Sequence, residues 1–163
     1  MDEPKDGELG ILARRRIEAA IIAPIYDEMR EAVGEDKARD ILRRAIRRAA
    51  IEAGAEMAKR APGGADLESF KAIQSLWTKD DALTIEVVDN APGVFNFNVT
   101  RCRYAETYRA MGLGEIGDIL SCDRDGAFCE GYDPRIKLTR TQTIMKGASH
   151  CDFRYRADPA QEA

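Results

Sequence analysis

No run of apolar residues in this chain approaches the roughly 20 that a bilayer-spanning helix needs, so the sequence excludes a helical membrane protein. Glycine-rich phosphate loops, Gly-x-Ser-x-Gly and His-Glu-x-x-His are all missing, which removes several familiar enzyme classes. Histidine occurs once, at His150, and although a serine triad can be drawn around it, no serine is marked as a nucleophile. There is no Cys-x2-Cys pair, no internal repeat and no low-complexity tract. The acidic start, Met1 to Asp6, has no apolar stretch followed by a small-residue cleavage site, so no secretory signal is expected and the cytoplasm is the expected compartment.

What is present describes a globular chain. Its 163 residues, 44% hydrophobic and 33% charged, suit one domain over residues 1–163 that buries about two-thirds of its unfolded surface. Net charge is -4, and residues 1–60 hold 13 basic against 13 acidic side chains, so the arginine-rich half is neutral. Lys37, Arg39, Arg43, Arg44, Arg47 and Arg48 share a helix side that invites a nucleic-acid reading. The equal acid in the same segment favours a solvated face, and no nucleic-acid or membrane partner is expected.

Periodicity divides the chain into a helical part over 1–60, a break at 61–65, an α+β part over 66–156 and a loose tail over 157–163. Leu9, Leu12, Ile17, Ala20, Ile21, Ile25 and Met29 recur at helical steps, with a kink or break expected near Ala23 because Pro24 removes a hydrogen bond. Gly34 reads as a stop. Ala38, Ile41, Leu42, Ala45, Ile46, Ala49, Ala53 and Met57 then form the clearest 3.6-residue stripe, within which Gly54 points to a close helix crossing.

After Ala61-Pro62-Gly63-Gly64, a short helix is expected over 66–77. Leu83, Ile85 and Val87, the turn Asn90-Ala91-Pro92-Gly93, and Phe95, Phe97 and Val99 read as an antiparallel hairpin. Helices are expected from Cys102 to Met111 and from Leu113 to about Ser121, and the stretch around Phe128, Cys129 and Glu130 is expected to be irregular. A second hairpin is expected from strands 136–145 and 150–156 around the turn Lys146-Gly147-Ala148-Ser149. The fold class is therefore α+β: N-terminal amphipathic helices, then an antiparallel sheet of about four strands in two hairpins, with helices between them covering its apolar face.

Four cysteines, Cys102, Cys122, Cys129 and Cys151, all lie in the last 62 residues, and without a secretory signal they are expected to be reduced. Thiolate is the reactive and metal-binding form. Cys102 falls where a strand hands over to a helix, between Arg101 and Arg103, where negative charge is favoured. Cys122 is expected at a helix end before Asp123 and Asp125, where ionisation is opposed. Cys129 reads as packing. On a strand, Cys151 shares a face with Phe153 and Tyr155, whereas His150 shares one with Asp152 and Arg154, so the two neighbours reach one ligand only through a bulge. Zinc is not required by the sequence, but Cys102, Cys122 and Cys151 would be its ligands if the fold assembled a site.

Several motifs taken in order resemble one family. They are Val99-Thr100-Arg101-Cys102-Arg103-Tyr104-Ala105-Glu106; Met111-Gly112-Leu113 with Cys122-Asp123-Arg124-Asp125; Lys137 to Met145; and Gly147 with His150-Cys151-Asp152-Phe153-Arg154-Tyr155. Together they resemble the L-2-amino-thiazoline-4-carboxylic acid hydrolase family, with a weaker match over the N-terminal helices. The resemblance implies a hydrolase that opens a small heterocycle at an amidine-like carbon, the named substrate yielding a carbamoyl-cysteine.

Such a reaction needs a nucleophile or activated water, a proton donor for the departing atom and donors for a tetrahedral intermediate. Chemistry assigns attack, or a water-activating metal, to Cys102, with Cys151 and Cys122 nearby. Proton transfer falls to Asp125, Asp152, His150 or Glu106. Arg101, Arg103 or Arg140 would hold a substrate carboxylate, with Tyr104 beside them. Two other readings stay open: a small-molecule-binding or sensor domain with the same pocket and no chemistry, and an interaction surface on the N-terminal helices for a second copy of the chain.

Overall fold

The computed structural model describes residues 9–157. The expectations for the acidic start and for the tail beyond Ala157 lie outside the described residues. Helix α1 (Ile11–Val33) runs through Pro24 as one helix, correcting the expected break. Ala19 and Ile22 before the proline and Tyr26 and Met29 after it pack on the same core, so tertiary packing holds both halves in line against the proline's cost of about 3 kcal/mol. Gly34 turns the chain at φ 84°, and Glu35 and Asp36 occupy the favourable first turn of helix α2 (Glu35–Ala58).

Helix α2 buries Ala38, Leu42 and Ile46 of the expected stripe, but continues the buried line through Ala50 and Gly54 in place of Ala49, Ala53 and Met57, and leaves Ile41 exposed. Its arginines are paired within the chain. Arg43 Nε lies 2.9 Å from Asp123 Oδ2, Arg47 pairs with Glu130, and Arg39 donates to the Glu115 carbonyl. The break at 61–65 is an irregular turn, after which the expected single short helix is two, α3 (Leu67–Ala72) and α4 (Ser75–Thr78). Asp66 caps α3 through a reciprocal pair of bonds with Ser69.

The sheet has the order β1-β2-β4-β3, with all neighbours antiparallel. Strands β1 (Leu83–Asp89) and β2 (Val94–Cys102) form the expected hairpin. Strand β3 (Ile136–Thr139) pairs with the C-terminal half of β4 (Cys151–Ala157), and residues 140–150 make an excursion containing a 3-10 turn at Ile144–Lys146. This corrects the expected tight second hairpin. Asp152 accepts hydrogen bonds from the backbone amides of Thr141 (2.9 Å) and Gln142 (3.0 Å), which draws the chain off the sheet directly after β3.

Helix α5 (Arg103–Ala110) follows β2 directly. A π-turn (Asp118–Cys122) then runs into helix α6 (Asp123–Tyr132), where an irregular stretch was expected. Helix α6 packs against α2 on one side and contributes Phe128, Cys129 and Tyr132 to the aromatic core on the other, so it has no polar face to produce a helical stripe in the sequence. The inner face of the sheet carries the directly paired residues Phe95 and Tyr155, Phe97 and Phe153, and Val99 and Cys151. No helix among the described residues is long and apolar enough to cross a membrane.

Candidate functional site

Alternation along β2 and β4 turns Phe97, Val99, Cys151, Phe153 and Tyr155 toward the covering helices, and a cavity of about 410 Å³ opens between them. Cys102, Tyr104, Cys122, Arg124, Asp125 and Arg140 complete its polar lining together with Arg15 and Glu18 of α1. Three thiols separated by up to 49 positions thus meet one space, because β2 ends, β4 begins and α6 starts at the same end of the cavity.

Cys102 caps α5, its Sγ accepting the Ala105 amide at 3.4 Å. Burial nevertheless pushes its pKa up to about 11, outweighing the helix-end hydrogen bonds, with Cys151 and Asp125 also raising it. The flanking cations do not offset this. Arg101 Nε pairs with Glu106 Oε1 at 2.8 Å on the surface, and Arg103 donates to the Asp80 carbonyl at 2.7 Å. Arg101, Arg103 and Glu106 therefore do not line the cavity.

Cys151 Sγ accepts the Ile144 amide at 3.2 Å, and burial raises its thiol against the pull of that bond and of Arg140. Cys122 sits inside one continuous helical run, the π-turn leading into α6, and not at the helix end expected for it. Burial and then Asp125 hold its thiol far above the ordinary range. Cys129 is 1% exposed in the aromatic core, a packing residue.

Arg140 and Asp125 form the cavity's central ion pair, Nη1 to Oδ2 at 2.6 Å. The guanidinium also donates to the Cys122 carbonyl at 3.0 Å and lies 4.9 Å above the Phe153 ring. Burial raises the Asp125 carboxyl, and the neighbouring guanidinium pulls it back. Tyr104 donates its hydroxyl to the Trp77 carbonyl at 3.1 Å, tying α5 to the end of α4.

His150 and Asp152 stand apart from this lining. Asp152 holds the 141–142 backbone, and His150 precedes β4, with Ser149 Oγ 3.0 Å from its Nδ1 and the Gln142 side chain 3.3 Å away. A metal reading does not fit the side chains: among the described residues no group of three or more His, Cys, Asp or Glu is arranged to hold an ion. The expected zinc ligands Cys102, Cys122 and Cys151 share the cavity without converging on one point.

Sequence reasoning missed one cluster altogether. Arg15 Nη1 contacts both Glu18 oxygens at 2.8 and 2.9 Å, and Arg124 Nη2 reaches Glu18 Oε2 at 3.1 Å from 106 positions away. Burial, followed by the neighbouring Arg15 charge, lowers Arg124 to about 10. Glu18 at i+3 from Arg15 was visible as a helix pair, but nothing local announces Arg124 as its third member.

Comparison with known proteins places these observations in context. No curated protein matches the chain. Among solved structures, it is similar to the crystal structure of the phenol-responsive sensory domain of the transcription activator PoxR with phenol. That likeness has a TM-score of 0.51 and 16% identity, over 90% of this chain and 76% of that one, and it shows a shared fold. The sequence matches one protein family over residues 14–155, most of its length: the chain belongs to the L-2-amino-thiazoline-4-carboxylic acid hydrolase family.

Proposed function

We propose that the chain is a hydrolase that opens a small heterocycle at an amidine-like or amide carbon, with the cavity as its active site. One observation carries the reading: Cys102, Cys122 and Cys151 share a single cavity with the Asp125 and Arg140 ion pair. Cys102 Sγ attacks the electrophilic carbon and its proton passes to Asp125. The ring bond to nitrogen or sulfur breaks, and the departing atom takes that proton. Water then displaces the sulfur and restores the thiol. Asp125 is the one cavity-lining carboxylate among the four proton-transfer candidates, and Arg140 keeps it oriented.

Incubation of the purified protein with cyclic amidines, thiazolines and lactams, with ring-opened product read by mass spectrometry and metal content measured on the same sample, tests this. Turnover by the wild type and a loss of about 100-fold or more in Cys102→Ala are expected. Full turnover by a folded Cys102→Ala removes the nucleophile.

A second reading, a binding or sensor domain, draws on a specific observation. Burial raises all three cavity thiols, so their surroundings disfavour the reactive thiolate. The phenol-responsive sensory domain shares the fold. This reading expects saturable binding of ring compounds with no product formed.

We further infer that the outer face of α1 docks a second copy of this chain. Ile17, Ile21 and Ile25, spaced one turn apart, are 63%, 62% and 51% exposed. Two copies crossing antiparallel at Ile21 would bury the isoleucines of each against the other.

A further inference from the structure

We propose that the corner of the cavity formed by Arg15 and Arg124 is a carboxylate subsite, and that the ligand is a one- or two-ring aromatic or heteroaromatic acid. The inference rests on the reading of the cavity as a ligand site; it moves the acid anchor from the expected Arg101, Arg103 or Arg140 to Arg15 and Arg124 and adds the ligand's orientation.

The two guanidiniums share one acidic partner. Arg15 and Arg124 have side chains only 17% and 12% exposed, and both bond Glu18. Arg15 reaches both Glu18 oxygens through Nη1 alone, and Arg124 uses Nη2 for Glu18 and Nε for the Leu120 carbonyl at 2.7 Å. Arg124 Nη1 and the Nε and Nη2 groups of Arg15 thus have no bond among the described residues. Two cations held around one carboxylate in a poorly hydrated corner leave a positive charge that a second carboxylate would balance.

A separate observation concerns Tyr108. Its side chain is 1% exposed and its hydroxyl, buried, has no hydrogen-bond partner. Tyr108 belongs to the buried cluster behind Cys122, outside the cavity's own lining, and the charges of Arg15, Arg124 and Glu18 act on its hydroxyl. Buried hydroxyls are normally bonded. An anionic oxygen or the water it carries in would give Tyr108 its acceptor.

The far wall sets the rest of the ligand. Phe97 and Phe153 stack at 4.9 Å, and Trp77, Phe128 and Tyr155 line the same cavity, offering flat apolar surfaces to a ring. Arg140 is not the anchor, because it is matched one-to-one by Asp125 and donates its other Nη to the Cys122 carbonyl. A ring against Trp77 and Phe128, with its acid group at Arg15 and Arg124, would share the cavity with Asp125 and the Cys122 thiol.

Trp77 is the chain's one tryptophan and lines the cavity, so its fluorescence reports occupancy in the intact protein. Benzoate and indole-2-carboxylate are titrated against their carboxamides, with isothermal calorimetry in parallel. The acids are expected to bind at least tenfold tighter than the amides. Arg124→Gln and Arg15→Gln should bring acid affinity down to the amide level while leaving the amides within twofold, and Arg124→Lys should retain most of the preference. Tyr108→Phe should weaken the acids severalfold and the amides little. Thermal melts check folding, and the Arg15 variants stand in if Arg124→Gln does not fold. Amides binding as tightly as acids, or an acid preference that survives both glutamine variants, overturns the subsite but leaves the pocket reading intact. Failure of both classes to bind overturns the two together.

Discussion

Gly54 of α2 and Gly131 of α6 face each other at a helix crossing so close that neither position has room for a methyl group. A Cβ on Gly54 would collide with the Phe128 carbonyl, and one on Gly131 with the Ile51 carbonyl. Both obstacles are backbone, so no side-chain rotation relieves the clash. Gly54→Ala and Gly131→Ala are each expected to destabilise the fold by about 3 kcal/mol or more, the upper end of overpacking costs, as read by urea denaturation. Wild-type stability in either variant would show that the helices separate freely, and the start of α6, with Cys122 and Asp125, would then not be rigidly placed.

Removing Arg140 should expose the cost of its partner. Arg140→Met leaves the Asp125 carboxylate buried and uncompensated, a loss of about 3 kcal/mol near neutral pH. Burial already raises the Asp125 pKa, and losing the cation raises it further. A raised pKa means the native state prefers the protonated form, so stability is retained at low pH and is lost as pH climbs through the shifted value. The deficit should therefore shrink from pH 7.5 to pH 4.5 in urea melts, and Arg140→Met/Asp125→Asn should recover much of it. A deficit independent of pH would mean that lost packing against Phe153 dominates.

The cavity thiols should be slow to alkylate at neutral pH. Cys102 ionises at about 11 in the folded protein against a reference of 9.0. Native iodoacetamide labelling at Cys102, followed by peptide mass spectrometry, should rise steeply only above pH 10, whereas unfolded protein labels from about pH 9. The same shift contributes stability that is fully present below pH 9 and is lost as pH rises toward 11. Half-maximal labelling of native Cys102 below pH 8 would show a thiolate that the surroundings do not favour, and would strengthen the nucleophile assignment.

The α1 face has a solution readout. Light scattering or sedimentation should show a concentration-dependent dimer for the wild type and a monomer for Ile21→Glu, with the far-UV spectrum unchanged because Ile21 is 62% exposed. A wild type monomeric at every concentration would sink the docking proposal.

Which parts of this molecule can be read locally follows from how each is encoded. The run Ala38, Leu42 and Ile46 specifies which face of the first half of α2 turns inward, because one helix face meets one core. Alternation at Phe95, Phe97 and Val99 and at Cys151, Phe153 and Tyr155 specifies a shared sheet face, and the strand-to-helix handover puts Cys102 at the N-cap of α5. Those facts place two of the cavity thiols before any coordinates.

Tertiary structure alone decided the remainder. Helix α6 is buried on two sides and so lacks the polar stripe that would reveal it. The 140–150 excursion depends on Asp152 catching backbone ten and eleven residues earlier, which replaces a hairpin that β-propensity favoured. Whether an arginine beside Cys102 activates it depended on which groups engage Arg101 and Arg103 away from the thiol: Glu106, five residues on from Arg101, and the Asp80 carbonyl, 23 residues before Arg103. The Arg15, Glu18 and Arg124 corner joins α1 to α6 across 106 positions. Period and capping are properties of neighbouring residues and are written in the chain; charge pairing and desolvation depend on which distant segments the topology brings into contact.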